Sequence, residues 1–166
     1  MEDGPTLARE RLREALEVVG HEARHLRYSL GRMEIEPLDA AWVQALEKDP
    51  ERAERLDAFV ARYGRMQDTM GGRLLRWLFE ALAERPETQL DRLQRAEALG
   101  LIESAARWME ARALRNRPIR EYVDDPGELA ANLRRACRHA RMLLEAHERI
   151  ARFAVRRLGL EVSGDG

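Results

Sequence analysis

Residues 125–159 read DPGELAANLRRACRHARMLLEAHERIARFAVRRLG and predict one long amphipathic helix. Asp125 suits the N-cap, Pro126 suits the first helical position and Gly159 suits the end of the helix. Apolar residues recur in steps of three and four, which places them on one stripe. The stripe consists of Leu129, Leu133, Ala136, Cys137, Ala140, Leu143, Leu144, His147, Ile150 and Ala154. A stripe of this length needs other helices to cover it, so the segment predicts a helical bundle.

The same spacing recurs toward the N-terminus. Steps of four and three from Leu12 to Met33 predict a helix over residues 6–33, and Pro37 lies in the break that follows it. A short helix is expected over residues 39–48. Asp49 and Pro50 then have the N-cap and first-turn pattern of a second long helix, whose apolar stripe continues to Leu82.

Two adjacent glycines, Gly71 and Gly72, lie inside that second stripe. Glycine is a poor helix former, so the pair should weaken or bend the helix locally. Close approach of a neighbouring helix is the alternative reason for two residues without side chains.

Shorter helices complete the pattern. Thr88 with Asp91 predicts a capped helix that reaches about Leu99, and another helix is expected over residues 102–116, before Pro118. No strand pattern competes with these helices. The fold class is therefore all-α: a single domain over residues 1–166, built as an antiparallel four- to five-helix bundle, with disordered tails expected at 1–5 and 160–166.

The charge and the cysteine content limit the classes of function and the cellular compartment that the sequence allows. The net charge is −1, from 29 basic and 30 acidic residues, which argues against non-specific nucleic-acid binding by bulk charge. The single Cys137 excludes an intramolecular disulfide and indicates a reducing compartment. The acidic N-terminus lacks signal-peptide features and no apolar run could span a membrane, so a cytoplasmic protein is expected.

The histidines do not form a recognisable metal site. Glu22 and His25 have the Glu-x-x-His spacing of di-iron bundles, but no second copy exists and His21 lies off the apolar stripe. We therefore expect neither a metal nor a cofactor. His147 lies on the last stripe and should be partly buried, whereas His139 lies off it without an obvious partner.

Residues 111–122 read ARALRNRPIREY and concentrate positive charge. Four arginines occur within nine residues, namely Arg112, Arg115, Arg117 and Arg120. Arginines at a helix C-terminus complement its dipole and free carbonyls, which is the structural interpretation. Anion binding by the same guanidinium groups is the functional one.

This segment resembles the signature of the HEPN family, in particular its HepT-like branch. Arg115 and Asn116 match the first part of the motif, Arg120 takes the place of the usual His, and Tyr122 matches the Tyr of HepT-like members. The resemblance extends over most of residues 57–154, including residues 63–68 and 90–108.

The resemblance implies a function and a partner. HEPN proteins are usually homodimers with facing motifs, and many are metal-independent ribonucleases in which Arg holds the phosphate and His moves protons. HepT-like toxins are neutralised by a minimal nucleotidyltransferase that transfers AMP to the motif Tyr. The implied site here is Arg115 and Asn116, with Arg120 in the position of the His, Arg112 and Arg117 for binding, and Tyr122 as AMP acceptor.

The departure from the motif affects activity. A guanidinium stays protonated at physiological pH, so Arg120 cannot act as a general base. Pro118 should also bend the helix that carries the motif. The sequence thus favours a HepT-like partner of a nucleotidyltransferase that binds RNA or nucleotide with weakened or lost nuclease activity.

Two alternatives remain open. An active endoribonuclease would need His139 or a substrate group in place of the missing His. A non-catalytic helical interaction module would use the arginines only as caps. Trp108, Arg112 and Arg115 share one helical face and are the candidate dimer contact.

Overall fold

The computed structural model describes residues 4–116 and 125–161, and within these ranges the chain is helical without any strand. The prediction of an all-α fold is confirmed. The helices are α1 (Gly4–Met33), α2 (Ala40–Gln44), α3 (Pro50–Asp68), α4 (Leu75–Ala81), α5 (Gln89–Ala98), α6 (Ala105–Asn116) and α7 (Pro126–Leu158). A 3₁₀ turn (Ala45–Lys48) follows α2, and a π-helical segment (Thr69–Leu74) joins α3 directly to α4.

The predicted caps are present. Asp49 and Asp125 each accept a hydrogen bond from the backbone three residues later, at 3.0 and 3.1 Å. Thr88 and Asp91 form a reciprocal capping box, and Gly159 ends α7 in the left-handed conformation, with φ of 63°. The sequence therefore encodes where these helices begin and end.

The described structure extends slightly beyond the helix limits expected from the sequence. α1 begins at Gly4 rather than at residue 6, so residues 4 and 5 are helical rather than part of a disordered tail. After α7, Leu160 is buried and its N–H bonds to the carbonyl of Ala154.

α1 lies antiparallel to both α3 and α7. Along α3 the pairing runs from Arg32 with Glu51 to Ser29 with Arg62. Along α7, Arg9 donates to the carbonyl of Leu158, and Arg27 and Glu34 pair with Glu148 and Arg141. The apolar stripes of α1 and α7 face each other in one buried core.

α6 packs against α3, α5 and α7. The hydroxyl of Tyr63 in α3 donates to the carbonyl of Ala111 in α6 at 3.2 Å, and the Trp108 side chain is 1% exposed. α6 thereby brings the start of the arginine-rich segment next to the π-helical segment. No helix in the described ranges combines the length and apolar character needed to cross a membrane.

Candidate functional site

The two glycines lie in the π-helical segment, where the helix departs from α geometry. A Cβ on Gly71 would lie 2.9 Å from Nε2 of Gln89 and 3.5 Å from Nε1 of Trp108, whereas a Cβ on Gly72 would meet nothing within 4 Å. Close approach of neighbouring helices therefore applies to Gly71 and not to Gly72. A side chain at Gly71 would have to displace the amide end of Gln89.

A cavity of about 290 Å³ opens beside this segment. It lies between the end of α3, the π-helical segment, α5 and α6. The lining residues are Gln67, Asp68, Gly72, Gln89, Arg92, Trp108 and Arg112. Its volume is close to the lower end of the range for small-molecule sites, and most of its lining is polar or charged.

Gln67 is the unusual residue of this cavity. Its side chain is 3% exposed, and neither Oε1 nor Nε2 has a hydrogen-bond partner among the described residues. A buried unpaired amide is unfavourable by about 1–3 kcal/mol, so such a residue calls for an explanation. Sequence analysis missed Gln67, although a polar residue four positions after buried Tyr63 was a visible signal.

Two guanidinium groups give the cavity its charge. Arg112 is exposed and donates to Oε1 of Gln89, while Arg92 is half-buried with no partner for its Nε among the described residues. Among the described residues of the lining, Asp68 contributes the one carboxylate. The described side chains of the lining therefore carry one net positive charge, which suits an anionic ligand.

The structure brings one of the predicted site residues to this cavity, namely Arg112. α6 extends to Asn116, so the backbone of Arg115 and Asn116 belongs to the same helix. The side chains of these two residues, and all of Arg117, Arg120 and Tyr122, lie outside the described residues. Whether they meet at one site therefore stays a prediction.

The proposed dimer contact needs a correction. Trp108 is buried inside the chain against the π-helical segment, so it cannot lie at an interface between two copies. Arg112, four residues later, is exposed but turns to Gln89. The predicted contact therefore loses Trp108, which is an internal residue at a cavity wall, while the contact itself stays untested.

His139 also differs from expectation. It is 8% exposed, and it borders a second cavity with Arg107 and Glu110 of α6. Burial lowers its pKa, with the carboxylate of Glu110 acting in the opposite direction. Glu110 precedes Arg115 by five residues, about 7.5 Å along a helix, so His139 packs well before the motif.

The other titratable candidates have structural surroundings. His147 is half-buried as expected, and burial lowers its pKa. His21 and His25 are exposed. Glu22 accepts a hydrogen bond from Oγ1 of Thr69 at 2.9 Å, and burial raises its pKa. No group of three or more potential metal ligands occurs in the part of the chain that the structure describes.

Comparison with protein-family models, curated proteins and solved structures gives no match.

Proposed function

We propose that the chain is a HepT-like HEPN protein that works in the cytoplasm as the binding partner of a minimal nucleotidyltransferase. In this proposal it forms a homodimer and accepts AMP on Tyr122. Support comes from the motif residues Arg115, Asn116 and Tyr122, together with the helical fold in which α6 leads into the motif.

One observation carries the binding role. Arg112, at the start of the arginine-rich segment, lies on a cavity that also contains the guanidinium of Arg92. Two guanidinium groups can hold a phosphate through charge-assisted hydrogen bonds. None of the lining residues is a histidine, so the cavity offers phosphate binding without a base that titrates near neutral pH.

The first test is whether the adjacent reading frame encodes a minimal nucleotidyltransferase, and the second is AMP transfer to this chain by that enzyme. Intact-mass measurement after incubation with the transferase and ATP should show one added AMP per chain. The Tyr122→Phe variant should remain unmodified, while Tyr28→Phe, which removes an exposed hydroxyl elsewhere, should be modified normally. An unmodified wild-type chain beside an active transferase would refute the proposal.

The ribonuclease alternative finds less support. His139 is the histidine that would have to replace the missing base, and it packs beside Glu110 rather than further along α6. If the chain nevertheless cleaves RNA, cleavage should disappear in Arg115→Ala. If the wild type and Arg115→Ala show the same background cleavage of RNA, the ribonuclease alternative fails and the binding role is the one that remains.

A further inference from the structure

We propose that the cavity beside the π-helical segment reads a nucleobase through the side-chain amide of Gln67, while Arg92 and Arg112 hold the attached phosphate. This inference deepens the proposed function by naming a ligand class for the cavity. Its test uses the chain alone, without a transferase.

The side-chain amide of Gln67 is buried without a partner among the described residues. Oε1 of Gln67 can accept and Nε2 can donate, and neither does so within the described chain. Buried amides are normally paired, so an unpaired one at a cavity wall indicates a ligand group that supplies both a donor and an acceptor. Nucleobases carry such neighbouring donors and acceptors on their edges, and Gln pairs with adenine in this bidentate way.

The surrounding charges indicate what the base is attached to. Arg92 and Arg112 line the same cavity as Gln67, and the described side chains of its lining carry one net positive charge. A free base would offer these guanidinium groups no anion, whereas a nucleoside monophosphate does. The neutral edge and the anion thus fall on different parts of one ligand.

The empty cavity is partly closed by its own side chains. Arg112 donates to Gln89, and both polar atoms of Gln67 are covered in this conformation. Gln89 and Arg112 line the same cavity as Gln67, and both reach solvent, so we place the opening of the cavity at their hydrogen-bonded pair. A phosphate that competes for Arg112 would release Gln89 in the same step, so phosphate binding and opening should be linked.

Trp108 offers a reporter inside the site. Its ring lines the cavity and its Nε1 is directed toward Gly71. The chain has three tryptophans, so the indole N–H signal of Trp108 can be assigned by comparison with Trp108→Phe in ¹H–¹⁵N spectra. A ligand in this cavity must shift that signal.

The experiment titrates the full chain with AMP, CMP, GMP, UMP, ribose 5-phosphate and inorganic phosphate. At least one nucleotide should bind five- to a hundred-fold more tightly than ribose 5-phosphate, since a bidentate base contact contributes about 1–3 kcal/mol. The same titration should shift the Trp108 indole signal. In Gln67→Met this preference should disappear, and nucleotides should bind no better than ribose 5-phosphate.

Matched variants separate the two parts of the ligand. Gln94→Met makes the same substitution at an exposed position of α5 and should retain the preference. Arg112→Gln should weaken the binding of nucleotides and of ribose 5-phosphate by the same factor. Both results would support the assignment of base and phosphate to different side chains.

Three results would overturn the inference: no binding of any nucleotide, equal binding of nucleotides and ribose 5-phosphate, or binding that leaves the Trp108 signal unchanged. In the first case water alone satisfies Gln67. AMP transfer to Tyr122 by the transferase could still occur after any of these results, so the two proposals fail separately.

Discussion

Nε1 of Trp108 lies 3.5 Å from the point that a Cβ on Gly71 would occupy. This contact joins α6 to the π-helical segment at the inner wall of the candidate cavity. π-helical turns are frequent at functional sites, and here the turn lies next to the residues that line the cavity.

The two glycines should respond differently to the same substitution. Gly72→Ala meets no atom and should increase the free energy of unfolding by about 0.5–1 kcal/mol. Gly71→Ala must displace Nε2 of Gln89 and should gain less or lose stability. Urea denaturation of both variants measures the difference. Equal gains would contradict the close approach at Gly71.

Gln67→Met should stabilise the empty protein. Methionine has a similar length and leaves no buried donor or acceptor unpaired, so the free energy of unfolding should rise by about 1–3 kcal/mol. Gln94→Met at an exposed position should change it by about 0.5 kcal/mol or less. A loss of stability in Gln67→Met under thermal denaturation would mean that water satisfies the amide well.

His147 should make the fold less stable in acid. Burial lowers the pKa of His147 below its ordinary value of 6.5. The unfolded chain therefore binds a proton below pH 6.5 that the folded chain does not, and stability falls as the pH drops toward the folded pKa.

His147→Leu should reduce this acid-side slope in urea titrations between pH 7.5 and pH 5. His25→Leu is the matched control, because it removes an exposed histidine from α1. If His147→Leu leaves the slope as steep as in His25→Leu, the histidine is not protected from protonation by burial.

Glu22 should make the fold less stable as the pH rises, which is the opposite of the effect of His147. Burial raises its pKa above the ordinary 4.5, despite the hydrogen bond from Thr69 and the nearby Arg65 and Arg73. The folded chain holds this proton more firmly than the unfolded chain, so stability is lost as the pH rises from 4.5 through the folded pKa.

Glu22→Gln should therefore be slightly more stable than wild type at pH 7, with the difference vanishing toward pH 4. Glu10→Gln at an exposed position of α1 provides the comparison. A lower urea midpoint for Glu22→Gln at pH 7 would show that its interactions with the two arginines outweigh burial.

The long helices could be predicted because their patterns are local. Steps of three and four and side-chain caps such as Asp49 and Asp125 belong to single segments of the chain. These signals placed α1 and α7 close to their observed limits, and for α3 they placed the start but not the end, since the predicted helix continued through the π-helical segment and α4.

The errors concern residues whose surroundings come from other helices. Trp108 shares a helical face with exposed Arg112, but it is buried where α6 packs against α3 and α5. His139 lies off the apolar stripe of α7, which packs against α1. It is buried nevertheless, because α6 packs against the side of α7 that carries it. Gln67 could not be predicted as a site residue, because the cavity that it lines is formed only when α5 and α6 pack beside α3.

The π-helical segment holds about one residue more than an α-helix of the same rotation, because its hydrogen bonds span five residues rather than four. Deleting one residue between Thr69 and Leu74 should therefore let this stretch close into ordinary α-helix, while Leu75, Leu78 and Phe79 stay buried in the core. A deletion within α3 or α4 has no such compensation, since each α-helical residue turns the chain by about 100°. Single-residue deletions should therefore be tolerated inside the π-helical segment far better than on either side of it.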